Sequence, residues 1–234
     1  MGKVLGMTGA ATSLLPFVPD KKVYDGLNLA KLVSVEVDTT DVKEESNWDM
    51  MKGRTVPRIT FHFESVKDVH THHYFHNYTV ITNEEKEDKI AEAMFKSIYH
   101  MLEAYGVPSA SIDKLMKGAI SYEERTADAL IETYTAFFVK VATMFNGTED
   151  GKMPNIYKDK TVWIKLIRDS RNNGRLSFPF YPGTGFIELY KTGQKPAIRI
   201  DVTKETIEEK PALNPTTGAP IAGAGAGQIP EALQ

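Results

Sequence analysis

Residues 160–190 read KTVWIKLIRDSRNNGRLSFPFYPGTGFIELY, and their pattern predicts a twisted β-hairpin. Apolar side chains recur at every second position of residues 162–168, as expected for a strand with one face in a core. The link that follows contains Asn173 and Gly174, a pair that adopts the positive φ angles of a tight turn. Residues 175–181 alternate again and supply the return strand.

The hairpin lies in the most basic part of the chain. Residues 152–199 contain ten lysines and arginines and three carboxylates, a net charge of +7, whereas the whole chain carries −3. A positive segment that also carries aromatic rings favours the binding of a polyanion.

The composition excludes several classes of protein. The chain has 234 residues, enough for one domain with a real core, and 25% of them are charged. It has no cysteine, which removes disulfides, thiolate metal sites and cysteine nucleophiles and fits a reducing compartment. No apolar run approaches the ~20 residues of a membrane helix, and the N-terminus is a poor secretory signal. We therefore expect a cytoplasmic protein (in the host cell, if phage-encoded) without a membrane partner.

Strands and helices are predicted in a distinct order along the chain. Residues 30–38, 54–65 and 69–82 each alternate with period two, and the last two predict a second hairpin. A helical segment starts near Asn83, an N-cap followed by acidic residues, and apolar residues recur from there at helical spacing. The basic hairpin comes next, and residues 197–202 predict a final strand.

The domain boundaries follow changes in composition. Residues 1–28 are small and interrupted by prolines, and they predict an N-terminal arm with little regular structure. Residues 29–205 form the predicted domain, with a helical insertion at about residues 83–146. Residues 206–234 are rich in Pro, Gly and Ala, and we expect a flexible tail.

Histidines in the third strand form a possible metal site. His70, His72 and His76 share one strand face, and His73 points the other way. A His-x-His pair is a known arrangement of two zinc ligands, whereas the simpler interpretation is a half-exposed face whose rings pack or meet a polyanion. A serine hydrolase elbow and a nucleotide phosphate loop are both missing from the sequence. We therefore predict that the protein is not an enzyme and has no cofactor and no metal. A metal-dependent enzyme that uses this histidine strand is kept as an alternative hypothesis.

Cations interleaved with aromatic rings are the remaining candidate site. Single-stranded nucleic-acid binders need both, because cations track phosphates and rings stack on unpaired bases. The predicted stacking residues are Trp163, Tyr74 and Trp48, the last of which packs on the domain edge in the simpler interpretation. The predicted phosphate and backbone contacts are Lys165, Arg168, Arg171, Arg175, Arg54, Arg58 and His62.

The order strand, strand, strand, helical segment, strand, strand is that of an OB-fold barrel, whose helix lies between strands three and four. The strands KLVSVEVDTTD, RTVPRITFHFES and HHYFHNYTVIT, the helix end LEAYGV and YKDKTVWIKLIRDSRNNGRLSFPF resemble phage-type OB-fold single-stranded DNA-binding proteins of replication and recombination. In that family a helix ending in glycine precedes a Gly-Lys-x-Val segment and a charged hairpin tip. Residues 158–162, KDKTV, occupy that place here.

The resemblance implies a fold and a function. The fold class is mainly β with an α insertion (α+β): an OB-fold-like five-stranded barrel with a helical segment between strands 3 and 4. The function is non-enzymatic binding of single-stranded DNA with little sequence preference. Two features differ from that family. The helical segment is longer than one barrel helix, which implies an inserted helical subdomain. The tail ends PEALQ rather than in acidic residues, and this difference weakens the expectation that the tail recruits a replication partner. The alternative is a self-associating structural or assembly protein of a virus particle, since an arm, a barrel and a flexible tail suit it equally.

Overall fold

A computed structural model gives the architecture of the chain and describes residues 2–5, 27–44, 46, 49–66, 73–169, 175–179 and 185–199. These residues form a mixed α+β fold. Its strands are β1 (Lys3–Leu5), β2 (Leu27–Asp41), β3 (Thr55–Ser65), β4 (His73–Thr79), β5 (Ile120–Tyr122), β6 (Val162–Lys165), β7 (Ile167–Asp169), β8 (Arg175–Ser177) and β9 (Ile187–Leu189). Its α-helices are α1 (Glu87–Ala104), α2 (Ser109–Met116) and α3 (Ala127–Asn146), and short 3₁₀ turns cover Asp49–Met51 and Glu84–Lys86.

The central feature is a five-stranded antiparallel sheet with the strand order β4-β3-β2-β6-β9. The pairing of β3 with β4 confirms the second hairpin, and the three helices fall between β4 and β6 as predicted. The closed barrel is not confirmed: among the described residues β4 and β9 are the two edges and do not pair, so the sheet is open.

Strand β2 joins the two halves of the sheet. Its first residues pair with β6 and its longer remainder pairs with β3, and Ala30 belongs to both ladders, opposite Val162 and opposite Ser65. The register with β3 shifts between Leu32 and Ser34, which marks a β-bulge. A bulge bends a strand and increases its twist, so β2 changes direction just beyond the point where the two pairings meet.

Period-two alternation gives the sheet one buried and one open face. Ile59, Phe61 and Phe63 of β3 are fully buried. Helix α3 packs on this face: the rings of Phe61 and Phe145 meet edge to face with centroids 5.3 Å apart, and contacts of α3 extend over β2 and β3. Helix α3 therefore covers this inner face, and the other face of β2, β3 and β4 carries the more polar set.

The helical segment begins and ends as its sequence predicts. The Asn83 side chain accepts a hydrogen bond from the Lys86 amide at 3.1 Å, which caps the first turn. Helix α1 stops just before Gly106, whose φ of +87° suits glycine.

The basic hairpin differs from its prediction in both of its strands. Strands β7 and β8 pair as expected, with Arg168 opposite Leu176, and β8 covers only Arg175–Ser177 of the return strand predicted over residues 175–181. However, the strand predicted over residues 162–168 is interrupted at Leu166, and its first part, β6, joins the central sheet instead. A partner on each side, β2 and β9, holds β6 in a different sheet from β7.

The structure adds one short strand to the predicted set and corrects the position of another. Lys3–Leu5, within the predicted arm, pairs with β5. The fifth strand of the sheet is Ile187–Leu189, whereas residues 197–199 form no strand and residues 200–202 lie outside the described residues. The Glu188 carboxylate accepts hydrogen bonds from the amides of Ala197 and Ile198, at 2.6 and 3.1 Å, which replaces strand pairing there.

A buried carboxylate ties β1 and β5 to α1. Glu87, in the first turn of α1, has no exposed side-chain surface. Its Oε2 lies 3.1 Å from the Lys3 ammonium and 3.4 Å from Nε of Arg125, and it accepts a hydrogen bond from the Tyr122 hydroxyl at 2.8 Å. A charge out of water is tolerated when it is paired and hydrogen-bonded in this way.

Replacing Glu87 with alanine should lower the free energy of unfolding by about 3–5 kcal/mol, because Arg125, Lys3 and Tyr122 lose their shared acceptor inside the protein. The matched control is Glu92→Ala on the same helix, which removes an exposed pair with Lys96 and should cost less than about 1 kcal/mol. Urea unfolding measures both. Equal, small losses for the two variants would show that the Glu87 network does not stabilise the fold.

Candidate nucleic-acid interface

The open side of β2, β3 and β4 is the candidate interface and is called the outer sheet face. Antiparallel pairing places its side chains in rungs across the sheet. His62 lies opposite Phe75 on one side and Ser34 on the other, and the adjacent rung contains Lys31, Glu64 and His73. The outer sheet face is defined by Lys31, Val33, Ser34, His62, Glu64, His73 and Phe75.

Phe75 is the most exposed large hydrophobic side chain of the described residues, at 55% of its surface. Its ring lies parallel to that of His62, with centroids 4.3 Å apart and planes 16° apart. The His73 ring is also nearly parallel, at 15° and 6.4 Å. Phe75 therefore offers an open, flat surface with a second ring behind it, an arrangement on which an unpaired base can stack.

Sequence reasoning missed Phe75 and selected its neighbour Tyr74. The structure does not favour Tyr74 for stacking on a base, because its side chain lies on the core side of β4 and is only partly exposed. The Tyr74 hydroxyl accepts a hydrogen bond from the Phe178 amide at 3.1 Å, and burial raises the pKa of Tyr74. Alternation within β4 shows only that Tyr74 and Phe75 lie on opposite faces, and the register decides which face is which: Tyr74 lies opposite the buried Phe63 and therefore on the core side, which leaves Phe75 outside.

His76 also lies on the core side of β4. Its Nδ1 lies 2.9 Å from the Tyr74 hydroxyl, and its Nε2 is enclosed without a hydrogen-bond partner among the described residues, although His76 keeps some exposed surface. Burial lowers the pKa of His76 from 6.5 to about 3. His76 is therefore neutral at physiological pH and is not a contact for a phosphate.

Lys165 and Trp163 of β6 were expected together on an open face. Lys165 is instead fully buried, and its ammonium donates a hydrogen bond to the Arg199 carbonyl at 2.8 Å, so it cannot reach a phosphate. Trp163 is half-buried, and its ring meets Tyr190 at 6.2 Å and 64°. Its register partner is Leu29, which lies two residues before Lys31 and therefore on the same side of β2. Trp163 thus lies on the side of the outer sheet face and stays a candidate for stacking.

Arg54 and Arg58 both have carboxylate partners. Arg58 makes a two-pronged pair with Asp38, at 2.9 and 2.6 Å, and this pairing lowers the pKa of Asp38. Arg54 pairs with Asp128 at 2.5 Å and is exposed. Both arginines are at the surface, but a phosphate would have to replace a carboxylate at each.

The other predicted contacts lie outside the described residues in whole or in part. Trp48 and Arg171 are not described, and neither are the side chains of Arg168 and Arg175. The backbone nevertheless shows that Arg168 and Arg175 stand near the tip of one hairpin, on β7 and β8.

A lysine-lined cleft of about 320 Å³ adjoins the outer sheet face. It lies between β2 and the segment before β6 and is lined by Lys31, Leu32, Val33, Asn155, Tyr157, Lys158, Asp159 and Lys160. Lys31 and Lys158 are exposed, and neither forms an ion pair within the described part of the chain. The Lys160 ammonium donates to the Tyr105 carbonyl at 2.8 Å. Two cations are thus presented to solvent beside the bulge of β2.

Comparison of the chain with family models, with curated proteins and with solved structures finds no match. Among the helices of the described residues, none is both long and apolar enough to cross a membrane.

The low pKa of His76 predicts acid sensitivity. The unfolded chain binds a proton at this residue below pH 6.5, whereas the folded protein resists it down to about pH 3. The stability that neutral His76 contributes is therefore complete above pH 6.5 and is lost as pH falls toward 3. From pH 7 to 5 the wild type should lose about 2 kcal/mol more than His76→Leu, which has no proton to bind.

Urea unfolding of both proteins at pH 7, 6 and 5 measures this difference. The comparison uses the change with pH rather than the stability itself, so a packing cost of the leucine cancels. Parallel pH profiles for the two proteins would contradict the burial of a neutral His76.

Proposed function

We propose that this protein binds single-stranded DNA with little sequence preference and without catalysis, using the outer sheet face and the lysine-lined cleft. The observation that carries the proposal is Phe75: a ring with 55% of its surface exposed, in the middle of a paired strand and backed by His62. Placing such a ring in water is unfavourable unless a flat partner covers it, and bases of any sequence provide one.

The strand order supports an OB-type fold as the finer description. In an OB barrel the first strand pairs with both the second and the fourth, so opening it between strands three and five leaves the order 3-2-1-4-5. The sheet β4-β3-β2-β6-β9 follows this order. OB folds bind oligonucleotides on the face of strands two and three, which correspond here to β3 and β4, the strands of His62 and Phe75.

A path for the phosphates leads from Phe75 along β2. Lys31 and Lys158 border the cleft beside the bulge, and Trp163 lies near the start of β2, opposite Leu29. From Ser34 to Leu29 the strand covers ~17 Å, a span of several nucleotides. Arg168, Arg171 and Arg175 of the basic hairpin remain proposed phosphate contacts, whereas Lys165 is excluded by its burial.

The biological setting follows from the resemblance alone. Phage-type DNA replication or recombination is the proposed process, with the C-terminal tail as the proposed contact to a replication partner. The proposed location is the cytoplasm, of the host cell if the protein is phage-encoded.

Replacing Phe75 with alanine should weaken binding to labelled poly-dT by about 1–3 kcal/mol, roughly 5- to 150-fold in Kd, because one stacking surface is lost. Phe75→Tyr keeps the ring and should bind like the wild type. Val139→Ala removes an exposed apolar side chain of α3 and should have no effect. Fluorescence anisotropy at low salt measures all four proteins. Unchanged affinity of Phe75→Ala would remove the outer sheet face from the site.

The cations should determine how binding responds to salt. Each lysine that contacts a phosphate of a single strand contributes about 0.7 to the slope of log K against log salt. Lys31→Gln combined with Lys158→Gln should therefore flatten the slope by about 1.4, and Arg171→Gln with Arg175→Gln should do the same. Lys140→Gln, on the exposed side of α3, is the control. A wild-type slope in either double variant would exclude that pair of cations.

The edge of the sheet favours a structural or assembly protein as the second candidate. Within the described residues, β4 has a partner on one side only, and it carries the exposed Phe75. An open edge with an apolar side chain can also pair with a second copy of the chain. Light scattering without nucleic acid separates the candidates, because concentration-dependent assembly that Phe75→Ala abolishes would favour this second function.

A further inference from the structure

Three potential metal ligands converge at one end of the outer sheet face. Nε2 of His62 lies 2.9 Å from Nδ1 of His73, and Oε1 of Glu64 lies 3.9 Å from the first and 3.6 Å from the second. All three atoms lie within 4.8 Å of one another. No other group of this kind occurs among the described residues.

The spacing of these atoms fits one small ion. A point ~2 Å from all three atoms exists between them, and this is the length of zinc bonds to imidazole nitrogen and to carboxylate oxygen. Hydrogen bonds among the three side chains explain their arrangement less well than a shared ion does. The two rings can share one hydrogen bond at 2.9 Å, but at 3.6 and 3.9 Å the carboxylate is too far to accept one from either ring.

The backbone holds the three ligands in place without an ion. His62 and Glu64 are two residues apart on β3 and therefore share a face, and His73 is the direct cross-strand partner of Glu64. Phe75 stacks on the His62 ring and fixes its plane. The exposed fractions of the side chains rise from 18% for His62 to 36% for Glu64 and 48% for His73, so an ion could enter from solvent.

We propose that His62, Glu64 and His73 form a binding site for a divalent transition metal, with Zn²⁺ as the best fit. Two imidazoles and one carboxylate are a ligand set that zinc uses where a fourth position stays open to water. This site differs from the His70 and His72 pair that the sequence indicates. It also goes beyond nucleic-acid binding, although a bound ion would offset the Glu64 charge directly beside Phe75.

Isothermal titration of the full chain with ZnCl₂ at pH 7.5, without nucleic acid, tests the proposal. The wild type should bind one equivalent at this site. His73→Gln and Glu64→Gln should each weaken binding at least ~10-fold, because each removes one of three ligands. Asn77→Ala, an exposed change on the same face of β4, should bind like the wild type. Co²⁺ in place of zinc should give visible absorption bands that His73→Gln lacks.

Several results would overturn the metal site. One is the absence of zinc binding by the wild type. A second is wild-type affinity in both His73→Gln and Glu64→Gln. A third is loss of binding in a His70→Gln and His72→Gln double variant while His73→Gln still binds. Thermal unfolding of each variant without metal checks that the sheet is intact, and none of these results depends on whether the protein binds DNA.

Discussion

The fold depends on the pairing of one strand with two others. Strand β2 is hydrogen-bonded to β6 at its start and to β3 along the rest, and Ala30 stands in both ladders. Because a paired strand must alternate its side chains between two faces, the position of β2 sets the orientation of every residue around it. The bulge after Leu32 bends the strand where the two halves of the sheet meet.

This constraint separates a core side from an outer side. The phenylalanines of β3 pack under α3, and the alternate positions, His62 and Glu64, face outward. The same parity places Tyr74 and His76 of β4 on the core side, partly buried, and exposes His73 and Phe75. The register of β3 with β4 thus brings the Phe75 ring, the two histidines and the Glu64 carboxylate together. The proposed DNA contact and the proposed metal site both result from this register.

Fewer cations are available to a phosphate than the lysines and arginines of the sequence indicate. A count along residues 152–199 is strongly positive, yet Lys165 is buried against the Arg199 carbonyl and Lys160 donates to the Tyr105 carbonyl. Arg54 and Arg58 face carboxylates from distant parts of the chain. Lys31, outside the basic segment, is instead brought beside Lys158. Such pairings depend on which segments the sheet brings together, and local composition does not contain that information.

The sequence by itself determined the elements: alternation marks β2, β3 and β4, Asn83 starts the helical segment, and the Asn-Gly turn predicts the hairpin of β7 and β8. These features depend on local spacing and on capping, which a single strand or turn already contains. Only the tertiary structure decided that β6 joins β2, that Ile187–Leu189 and not residues 197–199 supplies the fifth strand, and that Phe75 rather than Tyr74 is exposed. The physical reason is register, because a strand's inward face is chosen by its partners across the sheet and not by its own residues.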